Sequence, residues 1–328
     1  MNFVNFAGNE KVKQQLTILQ QSNRLPHAIV IEGEEGLGKR TLAKEIALNL
    51  FCKGDGEKPC LHCAQCVKVL KGIHPDVFEY SAAGGARSFH VDVVRDVKQD
   101  VYMQPNEAEY KIYILGNCQC MSENAQNAIL KILEEPPSYA VFILTVNTKS
   151  ALLETVLSRS VVLSLEGVDS KTGAEYICAE NENISYDDAY SAVSIWSGNI
   201  GRAAESLSDG KMSKINAVAD DICRALLSNN EYELIKACSV FEKNRDLLLS
   251  VLSLLKSVFR DALMSRCNIS CVTGKDEIIK SISGRLNAEK IVKLIAVCDS
   301  LSDAVYKNAN NNILITKMCY DFRRAQNR

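Results

Sequence analysis

Apolar positions in the first half of the chain switch between two periods. Short runs rich in β-branched and aromatic residues at 29–31, 77–80, 111–115, 141–146 and 161–165 read as strands. The unbroken apolar run VFILTV at 141–146 is what a strand covered on both faces requires. Between them, apolar residues recur every three or four positions over 10–21, 39–50, 91–101, 124–135 and 151–157, the spacing of helices with one buried face. The helix over 124–135 stops where Pro136-Pro137 lacks the backbone donors to extend it. The 81–88 stretch, with two glycines, reads as a loop. Five strands alternating with helices predict an α/β architecture around a parallel five-stranded sheet.

Beyond residue 166 strand signals fade. Three helices are predicted across 170–208, one of them over 186–196, and 211–328 reads as helical throughout, with apolar spacing over 215–227, 247–263, 278–286 and 288–305. The pattern divides into residues 1–166, a small helical domain over 167–209 and an all-helical domain over 210–328.

Composition narrows the function classes. Hydrophobic residues make up 47% of the 328 positions and charged residues 24%, as in ordinary globular proteins. A formal net charge of -2 argues against a strongly basic nucleic-acid binder and leaves any DNA contact local. No apolar run approaches the roughly 18 residues that cross a bilayer, so no membrane partner is expected. No basic-then-apolar leader precedes the first helix, which makes the cytoplasm the expected compartment. There the thirteen cysteines are read as reduced thiols or metal ligands.

The stretch IVIEGEEGLGKRTL at 29–42 carries the first candidate chemistry. A strand meets Gly33, Gly36 and Gly38, then Lys39 and a helix start, which is the context in which glycine-rich loops close backbone N–H groups around a phosphate. The residue after Lys39 departs from the motif. A Ser or Thr hydroxyl for Mg²⁺ belongs there, and Arg40 stands in its place. Thr41 comes one position late, turned by roughly 100° on a helix. Arg40 either supplies positive charge where Mg²⁺ would sit or fills the pocket, and the expectation is no tight nucleotide binding.

The strand at 111–115 shows a second departure. Phosphate-hydrolysing loops pair with a strand ending in Asp-Glu, one carboxylate for the Mg²⁺ shell and one to activate water. Here the following residues are Gly116 and Asn117. Glu123, beyond a polar turn, is the only nearby substitute. Asn147, after the strand at 141–146, stands where a polar group can orient a terminal phosphate, or simply caps the strand.

Cys52, Cys60, Cys63 and Cys66 form C-x7-C-x2-C-x2-C, a spacing that suits tetrahedral Zn²⁺. Gly54, Gly56 and Pro59 supply the turns. Four thiolates leave no open coordination position, so the predicted role is structural, with His62 as a competing ligand. The other nine cysteines (118, 120, 178, 223, 238, 267, 271, 298, 319) are scattered among apolar segments.

Taken together and in order, GEEGLGK, the four-cysteine insert, HPD at 74–76, NAILKILEEPP at 127–137 and LSRS at 157–160 resemble the bacterial replicative clamp loader, an AAA+ assembly of the DNA polymerase III holoenzyme. The resemblance is dense over about residues 1–205. It implies an AAA+ P-loop domain, a helical lid and a helical collar that oligomerises, where NANNNILI at 308–315 is also suggestive. Lys-Arg at 39–40 and Gly-Asn at 116–117 look like the non-hydrolysing delta-prime type of subunit rather than the gamma/tau motor. The resemblance then implies ATP only in neighbouring subunits, with gamma/tau and delta subunits as partners and the sliding clamp and primed DNA reached through the assembly. Arg159 matches a finger presented in trans to a neighbour's nucleotide, with Ser160 where the family usually has Cys. Arg202 matches a second sensor arginine, or packs a helix. The alternatives are a self-sufficient AAA+ ATPase, which would explain why Lys39 is kept, and a zinc-dependent nucleic-acid module, for which Lys53, Lys58, Lys68 and Lys71 are few and mixed with acids.

Overall fold

The computed structural model describes residues 1–22, 25–81, 91–208, 211–228, 230–242, 244–267, 273, 275–306 and 309–326. The loop expected over 81–88 therefore lies, from residue 82 on, outside the described residues, as does Cys271. The chain forms two compact units, Met1–Val168 with Asn199–Gly201, and Asp169–Gly198 with Arg202–Arg328.

The first unit is built on five strands, β1 Ala28–Glu32, β2 Val77–Ser81, β3 Lys111–Gly116, β4 Ala140–Val146 and β5 Val161–Ser164, all parallel in the order β2-β3-β4-β1-β5. Every residue of β3 and β4 is buried. The two-residue strand period sorts their side chains onto opposite faces. Ile29, Ile31, Ile112, Ile114, Val141 and Ile143 pack with α2 (Lys39–Phe51), while Val30, Tyr113, Leu115, Phe142 and Leu144 pack with α4 (Val91–Asp100) and α5 (Glu123–Glu134). Helices on both faces are why these strands read as continuous apolar runs. α1 (Glu10–Gln21) adds Val12 and Leu16 to the α2 face, and α3 (Ala64–Leu70) adds Cys66 and Val69.

One predicted element differs. The helix expected over 151–157 is a 3₁₀ turn at Lys149–Ala151, an extended pair at Leu152 and Leu153, then α6 at Glu154–Leu157. The buried Gln126 of α5 interrupts it, its Nε2 donating to the Ala151 carbonyl at 3.2 Å and its Oε1 accepting the Leu153 N–H at 2.8 Å. A side-chain amide thus takes the backbone groups that a continuous helix would pair.

The second unit is helical among its described residues: α7 Ser170–Glu180, α8 Tyr186–Ile195, α9 Ile200–Leu207 (its first two residues group with the first unit), α10 Lys211–Leu227, α11 Glu231–Cys238, α12 Arg245–Met264, α13 Asp276–Arg285, α14 Ala288–Tyr306 and α15 Asn311–Ala325. α12 is its centre, burying Leu248, Val251, Leu252, Leu255, Val258 and Phe259 against α10, α13 and α14. Ser253 and Ser257 of α12 donate to the Ile195 carbonyl at the end of α8, satisfying a group the helix itself leaves unpaired. Among the described residues no helix is long and apolar enough to cross a membrane.

Candidate functional site

The phosphate loop joins β1 to α2 with Gly36 and Gly38 at positive φ (94° and 83°), Gly38 in the left-handed conformation that precedes the helix. Lys39 is folded back into it. Its side chain is nearly buried, and Nζ donates to the carbonyls of Gly33 and Glu34 (the latter at 3.0 Å) and to Asn147 Oδ1 at 3.1 Å. The rest of the loop is occupied in the same way. Asn199 Nδ2 donates to the Glu35 carbonyl at 2.8 Å and the Gly201 N–H to the Gly36 carbonyl at 3.1 Å. The approach is so close that a Cβ on Gly201 would lie 2.6 Å from the Gly36 oxygen. All four carbonyls from Gly33 to Gly36 therefore accept from the chain's own donors.

Arg40 neither enters the loop nor fills it. Its Nε donates to Glu79 Oε1 on β2 at 2.6 Å, and Lys44 Nζ lies 3.7 Å from the other oxygen of the same carboxylate. At the end of β3, Asn117 adopts positive φ (59°) and its N–H donates to Thr145 Oγ1 at 3.2 Å. A Cβ on Gly116 would meet Ser81 Oγ at 3.0 Å. Glu123 begins α5 and is exposed.

The four predicted metal ligands are brought together. The sulfurs of Cys52, Cys60, Cys63 and Cys66 all lie within 4.8 Å of one another, against the roughly 3.8 Å edge of a tetrahedron with zinc–sulfur bonds of about 2.3 Å. Successive N–H groups point at successive sulfurs: Cys60 to Cys52 and Cys63 to Cys60 at 3.3 Å, and Cys66 to Cys63 at 3.5 Å. Burial raises the Cys63 thiol, but N–H donors from Cys66 and Lys53 outweigh it and bring the pKa down to about 6, favouring the thiolate that binds metal. Burial, first of all, drives the Cys66 thiol the other way. A Cβ on Gly54 would sit 2.6 Å from the Cys60 sulfur, so only glycine leaves the cradle open. The donor set fits Zn²⁺. His62 is exposed beside it, with Nδ1 against the Cys60 carbonyl.

Arg159 follows α6 in the turn to β5. Its Nη1 donates to the Thr155 carbonyl at 3.0 Å and to Ser158 Oγ at 3.3 Å, and its Nη2 lies 2.8 Å from Glu134 Oε1. In the second unit the Arg202 guanidinium lies 5.6 Å from the centre of the Trp196 ring, a cation–π contact.

The family described as "DNA polymerase III, delta subunit" matches residues 8–169. The chain is 30% identical over 189 residues to the DNA polymerase III subunit tau/gamma of Haemophilus influenzae, covering 57% of this chain and 27% of that protein. It is likewise 30% identical over 187 residues to the delta' subunit of the same organism, covering 56% of each. Over residues 8–169 the chain is thus of the DNA polymerase III clamp-loader type. A Thermotoga maritima protein related to the DNA polymerase III gamma subunit aligns over 95% of the chain at 20% identity and a TM-score of 0.43. The chain spans a quarter to just over half of the curated relatives' own length.

Several hydrogen-bond partnerships in the first unit carry no local sequence signal. Glu32, at the end of β1, accepts from the Lys149 N–H and from Ser164 Oγ, both at 2.8 Å, tying the loop's base to β5. Burial raises its pKa, but those two donors outweigh it and hold the carboxyl below its ordinary value. Asp76 of the HPD motif is fully buried and accepts from the N–H groups of Asn106, Glu107 and Ala108 at 2.6–3.0 Å and from Asn106 Nδ2 at 3.1 Å. His74 Nδ1 accepts the Asp76 N–H at 3.0 Å, and its Nε2 faces Gln65 Oε1, so the motif braces α3 and the loop at 106–108 around the knuckle.

Proposed function

We propose that the chain is a delta-prime-type subunit of the clamp loader. It does not hydrolyse ATP itself and lends Arg159 to a nucleotide held by a neighbouring gamma/tau subunit. With the delta subunit in the same assembly, it helps place the sliding clamp on primed DNA. The observation that carries this reading is the disposition of Lys39, bonded to its own loop and to Asn147, beside a strand end with no carboxylate at 116–117. A guanidinium stabilises charge on a transferring phosphoryl group and is worth on the order of 10³–10⁵ in rate. Reconstitution of the assembly with Arg159→Ala is expected to lower DNA-stimulated ATP hydrolysis by about 10³-fold; unchanged hydrolysis defeats the assignment. Residues 167–209 act as lid and 210–328 as collar in this reading. Cys52, Cys60, Cys63 and Cys66 hold a structural Zn²⁺ that joins the end of α2 to the start of α3. Metal analysis of freshly purified protein is expected to find one zinc per chain.

A self-sufficient ATPase is the second reading, favoured by the retained Lys39 and loop glycines and by the gamma/tau relatives. The purified chain decides it, because turnover that disappears in Lys39→Met makes the chain an enzyme.

A further inference from the structure

Arg159 is held by one end. A guanidinium carries five N–H donors in a plane, arranged as an end pair on Nη1 and Nη2 and a side fork of Nε and Nη2. The end is engaged: Nη1 donates to the Thr155 carbonyl and Ser158 Oγ, and Nη2 meets Glu134 Oε1 at 2.8 Å. Glu134 is the last residue of α5, Thr155 lies in α6, and both helices pack on the sheet, so these two acceptors come from fixed elements, with Ser158 in the turn after α6. No other partner of Arg159 is seen among the described residues, and none of those named is met by Nε–H, which leaves that edge of the guanidinium for an oxyanion. The Arg159 and Glu134 side chains are 36% and 48% exposed.

We propose that Glu134 is a positioning residue for Arg159: its carboxylate and the Thr155 carbonyl fix the guanidinium by its end, so that the side fork meets a nucleotide phosphate on the adjoining subunit in a bidentate pose. The inference rests on the finger reading of Arg159. A half-exposed ion pair contributes little to fold stability. Its effect lies in removing rotamers that a long, flexible side chain would otherwise lose on meeting the phosphate, a cost that falls on the transition state. Glu134 touches no reacting atom, and it keeps its ion pair with Nη2 while the Nε edge meets the phosphate.

The test reconstitutes the clamp loader from purified subunits with the wild-type chain, E134Q, E134D or R159A and measures DNA-stimulated hydrolysis across ATP concentration. E134Q is expected to lower kcat about fivefold with KM for ATP within about twofold, and E134D to recover most of the loss. The melting temperature of the isolated E134Q chain is expected to match wild type. If E134Q keeps wild-type kcat while R159A is disabled, the positioning role is overturned and the finger stands. If E134Q lowers the melting temperature and E134D rescues nothing, Glu134 acts through the fold and the proposal is likewise overturned. If R159A itself hydrolyses at the wild-type rate, the finger reading fails and takes this inference with it.

Discussion

Lys39 and Arg159 are the two cations that the motifs of this unit place in phosphate chemistry, and the fold treats them in opposite ways. Lys39 is turned inward and nearly buried, its ammonium spent on two loop carbonyls and Asn147. Arg159 is turned outward, anchored through one end of its guanidinium with the side chain more than a third exposed. A phosphate approaching Lys39 would have to displace bonds that already compensate its desolvation, so the net gain is small. The partners of Arg159 leave its Nε–H unengaged, so a phosphate approaching that edge adds a bond without displacing them. A motif names which charge is present, and the hydrogen bonds decide whom that charge serves.

The sharpest way to break the comparison is to exchange the consequences. Lys39→Met removes a buried donor from the Gly33 carbonyl and Asn147 Oδ1, and leaves the Glu34 carbonyl only the long bond from the Leu37 N–H at 3.4 Å. It is expected to destabilise the first unit by about 2–3 kcal/mol in urea unfolding, since each unsatisfied buried polar group costs roughly 1–3 kcal/mol. Hydrolysis by the assembled loader is expected to stay within about twofold of wild type where the protein is folded. Arg159→Ala is expected to show the mirror image, full stability with the rate gone. A Lys39→Met chain of normal stability that stops hydrolysis would place Lys39 on a nucleotide and erase the distinction.

The same contrast explains what the sequence discloses. The five strands are legible because a parallel sheet covered on both faces must be apolar along its length, and 29–31 and 141–146 are. The cysteine cluster is legible because Cys60, Cys63 and Cys66 recur at the two-residue intervals that suit metal ligation. Periodicity reports burial and is silent about which distant atom accepts a hydrogen bond. Lys111 looks like an exposed strand start, yet it is buried with Nζ 2.9 Å from Asp100 Oδ2, an oxygen that also accepts from the Tyr113 hydroxyl at 2.6 Å. Gln126 breaks a helix 25 residues away, and Gly201 closes a loop 165 positions earlier; neither partnership leaves a local pattern.

His74 extends the comparison to an inward group that titrates. Burial is the main cause that lowers its pKa, against the pull of Asp76 and Glu107 in the other direction. Well above pH 6.5 the side chain is neutral in both folded and unfolded chains and contributes no pH dependence. As pH falls below that value the unfolded chain takes up the proton first, so stability declines, with a slope of at most about 1.4 kcal/mol per pH unit. Burial raises the pKa of Asp76, but the N–H groups of Asn106, Glu107 and Ala108 outweigh it and hold the carboxyl below its ordinary value. Its contribution is therefore fully present above the unfolded value near 3.9 and constant from pH 5 to 7. Melting temperatures of zinc-loaded wild type and His74→Asn across pH 5–7 are expected to converge at the acid end, with the wild-type profile the steeper. Asn is chosen because its Oδ1 still accepts the Asp76 N–H. Parallel profiles would show that the acid sensitivity belongs to the cysteine thiolates instead.

The smallest expected effect is the most discriminating for the loop. Arg40→Thr restores the hydroxyl that the phosphate-loop motif calls for after Lys39. It also frees Glu79 from Arg40, leaving Lys44 3.7 Å from that carboxylate. The Arg40 side chain is 59% exposed, so losing the pair is expected to change stability by no more than about 0.5 kcal/mol. If Arg40 alone had disabled the site, the substitution would bring back Mg²⁺-dependent ATP binding. The arrangement around it argues otherwise. Lys39 remains bonded to its own loop, the Gly201 backbone remains against Gly36, and the end of β3 still offers Gly116 and Asn117 where a metal shell needs a carboxylate. Titration of a labelled ATP analogue is therefore expected to give the same weak response for Arg40→Thr and wild type, with and without Mg²⁺. Tight Mg²⁺-dependent binding by the variant would mean that the inward bonds of Lys39 yield readily to a phosphate. The opposition between the two cations would then come down to one side chain.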